Sequence, residues 1–194
     1  MSNPQSFGVA FVPCLEDLTS NPYWSILASA LSQEGAVVIP RNPGTLRIRW
    51  LWSNRGHIEV LHLHYIQSHY VVEARHARFR WVLRFARNIL IARALGYRVV
   101  WTVHDETPAF PLRPKWVEDF AYLLIARWAN AVIVHCEYAQ QMVRRRYGRT
   151  SDVVIADHPP MVNLYPAPTS TNSVRDRLGI SDDSIVFLLS LIHI

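Results

Sequence analysis

The chain has 194 residues, half of them hydrophobic and 18% charged, with seven Trp, eight Tyr and a formal net charge of +5. That composition excludes a disordered chain, because so much apolar and aromatic surface needs a packed core, and the length suits one large domain or one domain and the start of another. The longest apolar runs fall far short of the roughly 18 residues a membrane-spanning helix needs.

Met1-Ser-Asn-Pro-Gln-Ser6 places no basic stretch ahead of an apolar one, so no secretory signal is expected. Cys14 and Cys136 form neither a disulfide framework nor a zinc spacing, and a cytoplasmic, soluble protein is the default expectation. The charge is unevenly spread: residues 36–149 hold seventeen Arg and one Lys (Lys115) against seven acids. In part this reflects a coding bias toward Arg. In functional terms it points to an anionic partner: nucleotide-sugar phosphates, an anionic membrane surface or nucleic acid.

In chain order, strands alternate with helices, and glycines mark the joints. Phe7-Gly-Val-Ala-Phe-Val-Pro13 reads as a buried strand. Asn21 is a good N-cap with Pro22 at the first helical position, and Tyr23, Leu27, Ala30 and Leu31 predict the apolar stripe of the helix that follows. Gly35 ends it, and Ala36-Val-Val-Ile-Pro40 begins a second strand. Ile58-Glu-Val-Leu-His-Leu-His64 is a third. A helix from about Ala77, with Phe79, Val82, Ala86, Ile89 and Leu90 as its stripe, stops at Gly96 before the strand Tyr97 to Val103. A helix from about Pro114 buries Val117, Phe120, Leu124 and Trp128 and feeds the strand Ala131 to His135. The helix Tyr138 to Tyr147 stops at Gly148, before a strand from Asp152 to Ala156.

Six nearly continuous apolar strands with helical crossovers predict an α/β, doubly wound parallel sheet of Rossmann-like type. This domain is assigned to residues 1–157. The proline-rich stretch 158–172 reads as an interdomain linker, and 173–194, with a short helix from Ser173 and a strand from Ile185, as the start of a truncated C-terminal domain.

In such sheets ligands bind beyond the carboxyl ends of the strands. Polar residues gather there in Thr102-Val-His104-Asp105-Glu106, where His104 and Asp105 are candidates for a general base or a sugar-hydroxyl ligand. The alternative is that Asp105 caps a loop and His104 fills the core. His62 and His64 share one face of their strand, so a metal-dependent hydrolase is a minor alternative, although no acidic and histidine partners sit at helpful spacings and only His69 and His104 are loose candidates. There is no G-x-G-x-x-G and no Walker A sequence, which excludes the dinucleotide-dehydrogenase and P-loop readings. Arg80, Arg84 and Arg87, at i, i+4 and i+7 with Trp81 and Phe85 beside them, and Arg144-Arg-Arg146 form either solvated helix faces or contacts for anionic lipid headgroups. No nucleic-acid motif accompanies this charge, so no nucleic-acid partner is expected.

The order of these elements resembles the N-terminal half of a GT-B glycosyltransferase, in particular the large retaining family 4 and its relatives. Asn21-Pro-Tyr23 opens the first helix as the family does, and Val60 to His64 closes a strand. Val100-Trp-Thr-Val-His-Asp105 is similar to its "T-V-H-D/N" strand end. Val134-His-Cys-Glu137 with Ala139 and Val143 to Gly148 is similar to its "H-S-E-x-x-A…V…Y-G" element, and His158-Pro159 with Tyr165-Pro166 to its interdomain segment.

The resemblance covers about residues 7 to 189 and implies the acceptor-binding part of an enzyme that moves a sugar from a nucleotide-sugar donor to a glycan or lipid-linked acceptor. It implies His104 and Asp105 near the reacting centre, with Asn21, His64, Glu137 and His158 lining the cleft. No metal or other cofactor is implied. The glycine-rich first loop of many members is missing. The strand from Ile185 runs into Leu189-Ser-Leu-Ile-His-Ile194 where a Gly, Arg and Lys loop is expected, so the resemblance implies a chain lacking most of its donor-binding domain. Such a chain is expected to be inactive alone and its parent cytoplasmic, held at the inner face of the membrane by Arg80, Trp81, Arg84, Phe85 and Arg87. A non-catalytic Rossmann-like binding module remains the alternative.

Overall fold

The structure is a computed structural model that describes residues 6–14, 21–40, 45–73, 76–105, 114–159, 171–181 and 183–187. The chain divides into two units, residues 1–159 and 160–194. In the first, β1 (Phe7–Val12), α1 (Pro22–Gln33), β2 (Ala36–Ile39), α2 (Ile48–Asn54) and β3 (Val60–Leu63) come first. A 3-10 turn (Ile66–His69) and a small antiparallel pair, β4 (Val71–Glu73) and β5 (His76–Ala77), follow. Then come α3 (Phe79–Ala94), β6 (Arg98–Thr102), α4 (Lys115–Trp128), β7 (Ala131–Val134), α5 (Glu137–Tyr147) and β8 (Val153–Ile155).

Six of these strands form one parallel sheet in the order β2-β1-β3-β6-β7-β8. This is the doubly wound, Rossmann-like α/β architecture, and its order reverses between β1 and β3. Right-handed crossovers place α1, which returns the chain leftward to β2, on one face of the sheet. They place α2 to α5, which step rightward, on the other. Period-two alternation sorts the side chains accordingly. Ala10, Val12, Leu61, Leu63, Val99, Trp101, Val132 and Val134 join the main core with Val82, Phe85, Ile89, Val117, Ile125 and Val143 of α3, α4 and α5. Phe11 points the other way, toward Trp24 of α1 and the rings of His62 and His64.

Local signals explain the ends of these elements. Asn21 caps α1, its Oδ1 accepting from the Tyr23 amide at 3.0 Å. Gly148 adopts φ +65° at the end of α5, a left-handed C-cap that a side chain would strain. Gly8 is required by close approach instead: a Cβ there would lie 1.9 Å from the His57 carbonyl oxygen.

Several expectations are corrected. Ala30 is exposed, and α1 buries Tyr23 and Trp24, because its first turn lies over Phe11 and His64 while the helix runs beside the edge strand β2. In α3, Phe85 faces the core while Phe79 and Leu90 face solvent. The buried arc there is Val82, Phe85, Ala86, Asn88, Ile89 and Ala92, which keeps Val82, Ala86 and Ile89 of the predicted stripe and replaces Phe79 and Leu90. Ala77 belongs to β5, and α3 begins at Phe79. Helix α2 and the β4–β5 pair were not expected. In the second unit, α6 (Thr171–Leu178) is present, but residues 185–187 form no strand and Ile185 and Phe187 are exposed, having no ladder neighbour among the described residues. Residues 188–194, the loop residues Glu16, Asp17 and Glu106, and Tyr165-Pro166 lie outside the described part.

Candidate functional site

Four strands on one side of the switch point, β3, β6, β7 and β8, are each followed by a histidine within three residues. His64 follows β3, His104 lies two residues beyond β6, His135 follows β7, and His158 comes three residues after β8. Adjacent parallel strands in register therefore bring them into one row on the α1 side of the sheet. Ring centroids are 4.1 Å apart for His62 and His64, 5.3 Å for His64 and His104, 5.5 Å for His104 and His135, and 5.4 Å for His135 and His158.

Hydrogen bonds fix the rings. His62 Nε2 lies 2.7 Å from Thr102 Oγ1, and His64 Nδ1 lies 3.1 Å from His104 Nε2. His135 Nδ1 donates to the Ala156 carbonyl at 2.8 Å, and its buried Nε2 has no partner among the described residues. The α1 terminus supplies an aromatic wall. Trp24 meets His64 edge-on at 4.3 Å, Tyr23 contacts His104 at 5.4 Å and His158 at 4.9 Å, and Tyr65 stacks on His104 at 5.0 Å.

Burial sets the charge of His62, His64 and His104. It pushes His62 down to about 3 and His104 down to about 4, with neighbouring histidines adding to both shifts, and it holds His64 well below the ordinary imidazole value. At neutral pH these rings are uncharged, each with one donor and one acceptor nitrogen. Partial desolvation raises the Asp105 carboxyl above its ordinary value, and burial lifts Tyr23 to about 12. Tyr65, Gln67, Thr102, His104, Asp105 and Tyr122 line a narrow indentation with room for about one water molecule, into which hydrogen-bonding groups and aromatic rings project.

The expected site residues do not all take the places foreseen. His104, Asp105 and His64 come together, but His64 is 3% exposed and supports His104 from beneath. His158 is exposed and stacks on Tyr23. Asn21 spends its amide oxygen on the α1 cap. Glu137 is exposed on the first turn of α5. Among the described residues no group of three or more His, Cys, Asp or Glu side chains could hold a metal ion. His62, one of the two candidate ligands, is engaged by Thr102 instead. Cys136 is exposed at the start of α5, and Cys14 is buried.

Sequence reasoning gave no role to Thr102, Tyr65, Gln67 or the ring of Trp24, although Thr102 stood in the polar cluster it singled out. Thr102 was detectable, because it precedes His104 by two and so shares its face.

No family model matches this sequence, and no curated protein matches it. Among solved structures the chain is similar to Alr3699/HepE of Anabaena, whose crystal structure contains UDP and glucose. The match has 17% sequence identity and a TM-score of 0.46 and covers 90% of this chain. The chain spans half the length of that protein, 50% of which is covered.

No helix among the described residues is long and apolar enough to cross a membrane.

Proposed function

We propose that this chain is the acceptor-binding lobe of a nucleotide-sugar-dependent glycosyltransferase. The observation that carries the reading is the row of imidazoles beside Asp105 at the switch point of the sheet, in which His62, His64 and His104 are uncharged. Glycans present hydroxyl groups that both donate and accept, together with apolar ring faces. Neutral histidines answer the first and the rings of Tyr23 and Tyr65 the second. The ordered sequence resemblance to the GT-B N-terminal domain supports the same reading.

In this mechanism the acceptor lies across the cleft with one hydroxyl against His104. His64 holds the His104 ring through their shared hydrogen bond, so His104 meets that hydroxyl in a fixed orientation. As the acceptor oxygen bonds to the anomeric carbon, the bond to the leaving phosphate breaks and its electron pair departs with the nucleoside diphosphate. Where configuration inverts, Asp105 takes the acceptor proton. A second lobe holds the nucleotide, and sugar transfer by the 194-residue chain alone is not expected.

The test is an NMR titration of the histidine ring protons with methyl glycosides and short oligosaccharides. Glycosides should shift His104 and His135, and His104→Ala should remove the effect. If no glycoside moves these resonances, or if the chain alone transfers sugar at ordinary enzymatic rates, the reading fails.

A further inference from the structure

We infer that the outer face of α3 and α4, centred on Phe79 and Trp116, is a docking surface for an anionic lipid bilayer. Trp116 is 57% exposed, Leu83 49% and Phe79 39%. Phe79 and Trp116 form one patch with Phe120, because Phe79 lies 5.3 Å from the Trp116 ring and 5.6 Å from that of Phe120, and Leu83 follows Phe79 one turn along α3. Single exposed apolar residues are ordinary on a protein surface, whereas a contiguous aromatic group marks a place of contact.

The charge beside the patch identifies the partner. Arg80, Arg84 and Arg87 are exposed along α3, and residues 76–95 contain no acid. The guanidinium groups of Arg80 and Arg84 lie 5.6 Å and 4.9 Å from the Trp81 ring, a cation–π arrangement on the flank of α3 away from Phe79. On α4, Glu118 is buried and Asp119 is bonded to Lys115 and Arg146, so neither offers a free carboxylate to offset the arginines. Aromatic rings bordered by arginine match the boundary between headgroups and acyl chains. A two-fold pairing with a second copy would set one arginine stripe near another, which like charges oppose.

The surface differs from the one expected from sequence. Phe85 is 2% exposed and plays no part, and the apolar component comes from α4, which the α3 spacing could not reveal. Because helices in right-handed βα units start at the carboxyl ends of strands, Phe79 and Trp116, in the first turns of α3 and α4, lie at the edge that carries His104 and Asp105. Docking here brings the bilayer to that edge of the sheet.

The test is co-sedimentation of the full chain with vesicles of phosphatidylcholine alone and of phosphatidylcholine mixed with phosphatidylglycerol, at low and high salt. It needs no glycosyl transfer, so its outcome is separate from that of the proposed function. Binding should appear only with the mixed vesicles and fall with salt. Arg80→Gln with Arg84→Gln should lower partitioning by roughly thirtyfold, since each basic group at an anionic surface contributes about 1 kcal/mol and about 1.4 kcal/mol is tenfold. Phe79→Ser with Trp116→Ser should abolish binding, while Trp52→Ser, at an exposed ring on α2, should leave it unchanged. Equal binding to both vesicle types, unchanged binding by the arginine variant, or loss in Trp52→Ser to the same degree would overturn the inference. So would absence of vesicle binding together with self-association that Phe79→Ser and Trp116→Ser abolish.

Discussion

His64 Nδ1 and His104 Nε2 lie 3.1 Å apart, so these two imidazoles share one hydrogen bond in which one ring donates and the other accepts. Burial keeps both uncharged, and the bond therefore links the tautomer of the exposed-edge ring to that of the buried one. His64 is held in turn by the edge of Trp24 at 4.3 Å and lies over His62. The chemistry of His104 is set from beneath, by residues that never reach solvent.

Replacing His64 with Phe preserves the ring volume but leaves His104 Nε2 without its partner. An unpaired buried polar group costs about 1–3 kcal/mol. His104 then turns to recover a hydrogen bond, and glycoside affinity should weaken about tenfold or more while the thermal midpoint moves little. Titration midpoints of the His104 ring protons measure this. An unchanged midpoint would reduce His64 to a space-filling ring.

The buried histidines also set the response to acid. His62 is held at about 3, and His69 and His104 at about 4, whereas an unfolded chain titrates its histidines near 6.5. Between those values the unfolded chain binds more protons, so stability rises with pH across that window. The contribution is fully present above about 6.5 and is lost as pH falls toward 4. Each ring contributes a slope of up to about 1.4 kcal/mol per pH unit. Urea midpoints between those limits should fall steeply on acidification. His69→Phe should flatten the slope, because its ring stacks on Phe85 in an apolar setting. A midpoint that ignores pH in this window would mean that the rings are solvated in the native protein.

The sheet was legible in the sequence because its signals are local and agree with one another. Apolar β-branched runs, Asn21-Pro22 and Gly148 each state one element end. His104 and Asp105 could be placed because a polar cluster closing an apolar strand in a parallel sheet has one destination. The pairing of His104 with His64 was legible only as a loose candidate. His64 lies forty residues away, and its pairing depends on the register of β3 against β6, which alternation within one strand does not give. Phe85 was misplaced for a different reason: α3 is apolar or aromatic on several faces, and only the packing of β6 and α4 decides which face is buried. Helix α2 was missed because its seven residues, Ile48 to Asn54, carry a single buried side chain, Leu51, too few for a period to show.

That short helix is tied to the core from outside its own sequence. Asn88 on α3 is buried, and its Nδ2 donates to the Leu46 carbonyl at 2.5 Å, while the Tyr97 hydroxyl donates to the Leu51 carbonyl at 2.6 Å. An asparagine on the apolar face of α3 is otherwise unfavourable, and here it satisfies a backbone oxygen that no regular element reaches. Asn88→Leu should therefore destabilise the protein by about 1–3 kcal/mol despite the gain in apolar surface, because the Leu46 carbonyl is left buried and unpaired. Urea unfolding should show the lower midpoint, and hydrogen exchange should show faster opening in residues 46–54 than in β3 or β6. If Asn88→Leu is neutral or stabilising, the Leu46 carbonyl finds another partner and α2 is held by Leu51 and Tyr97 alone.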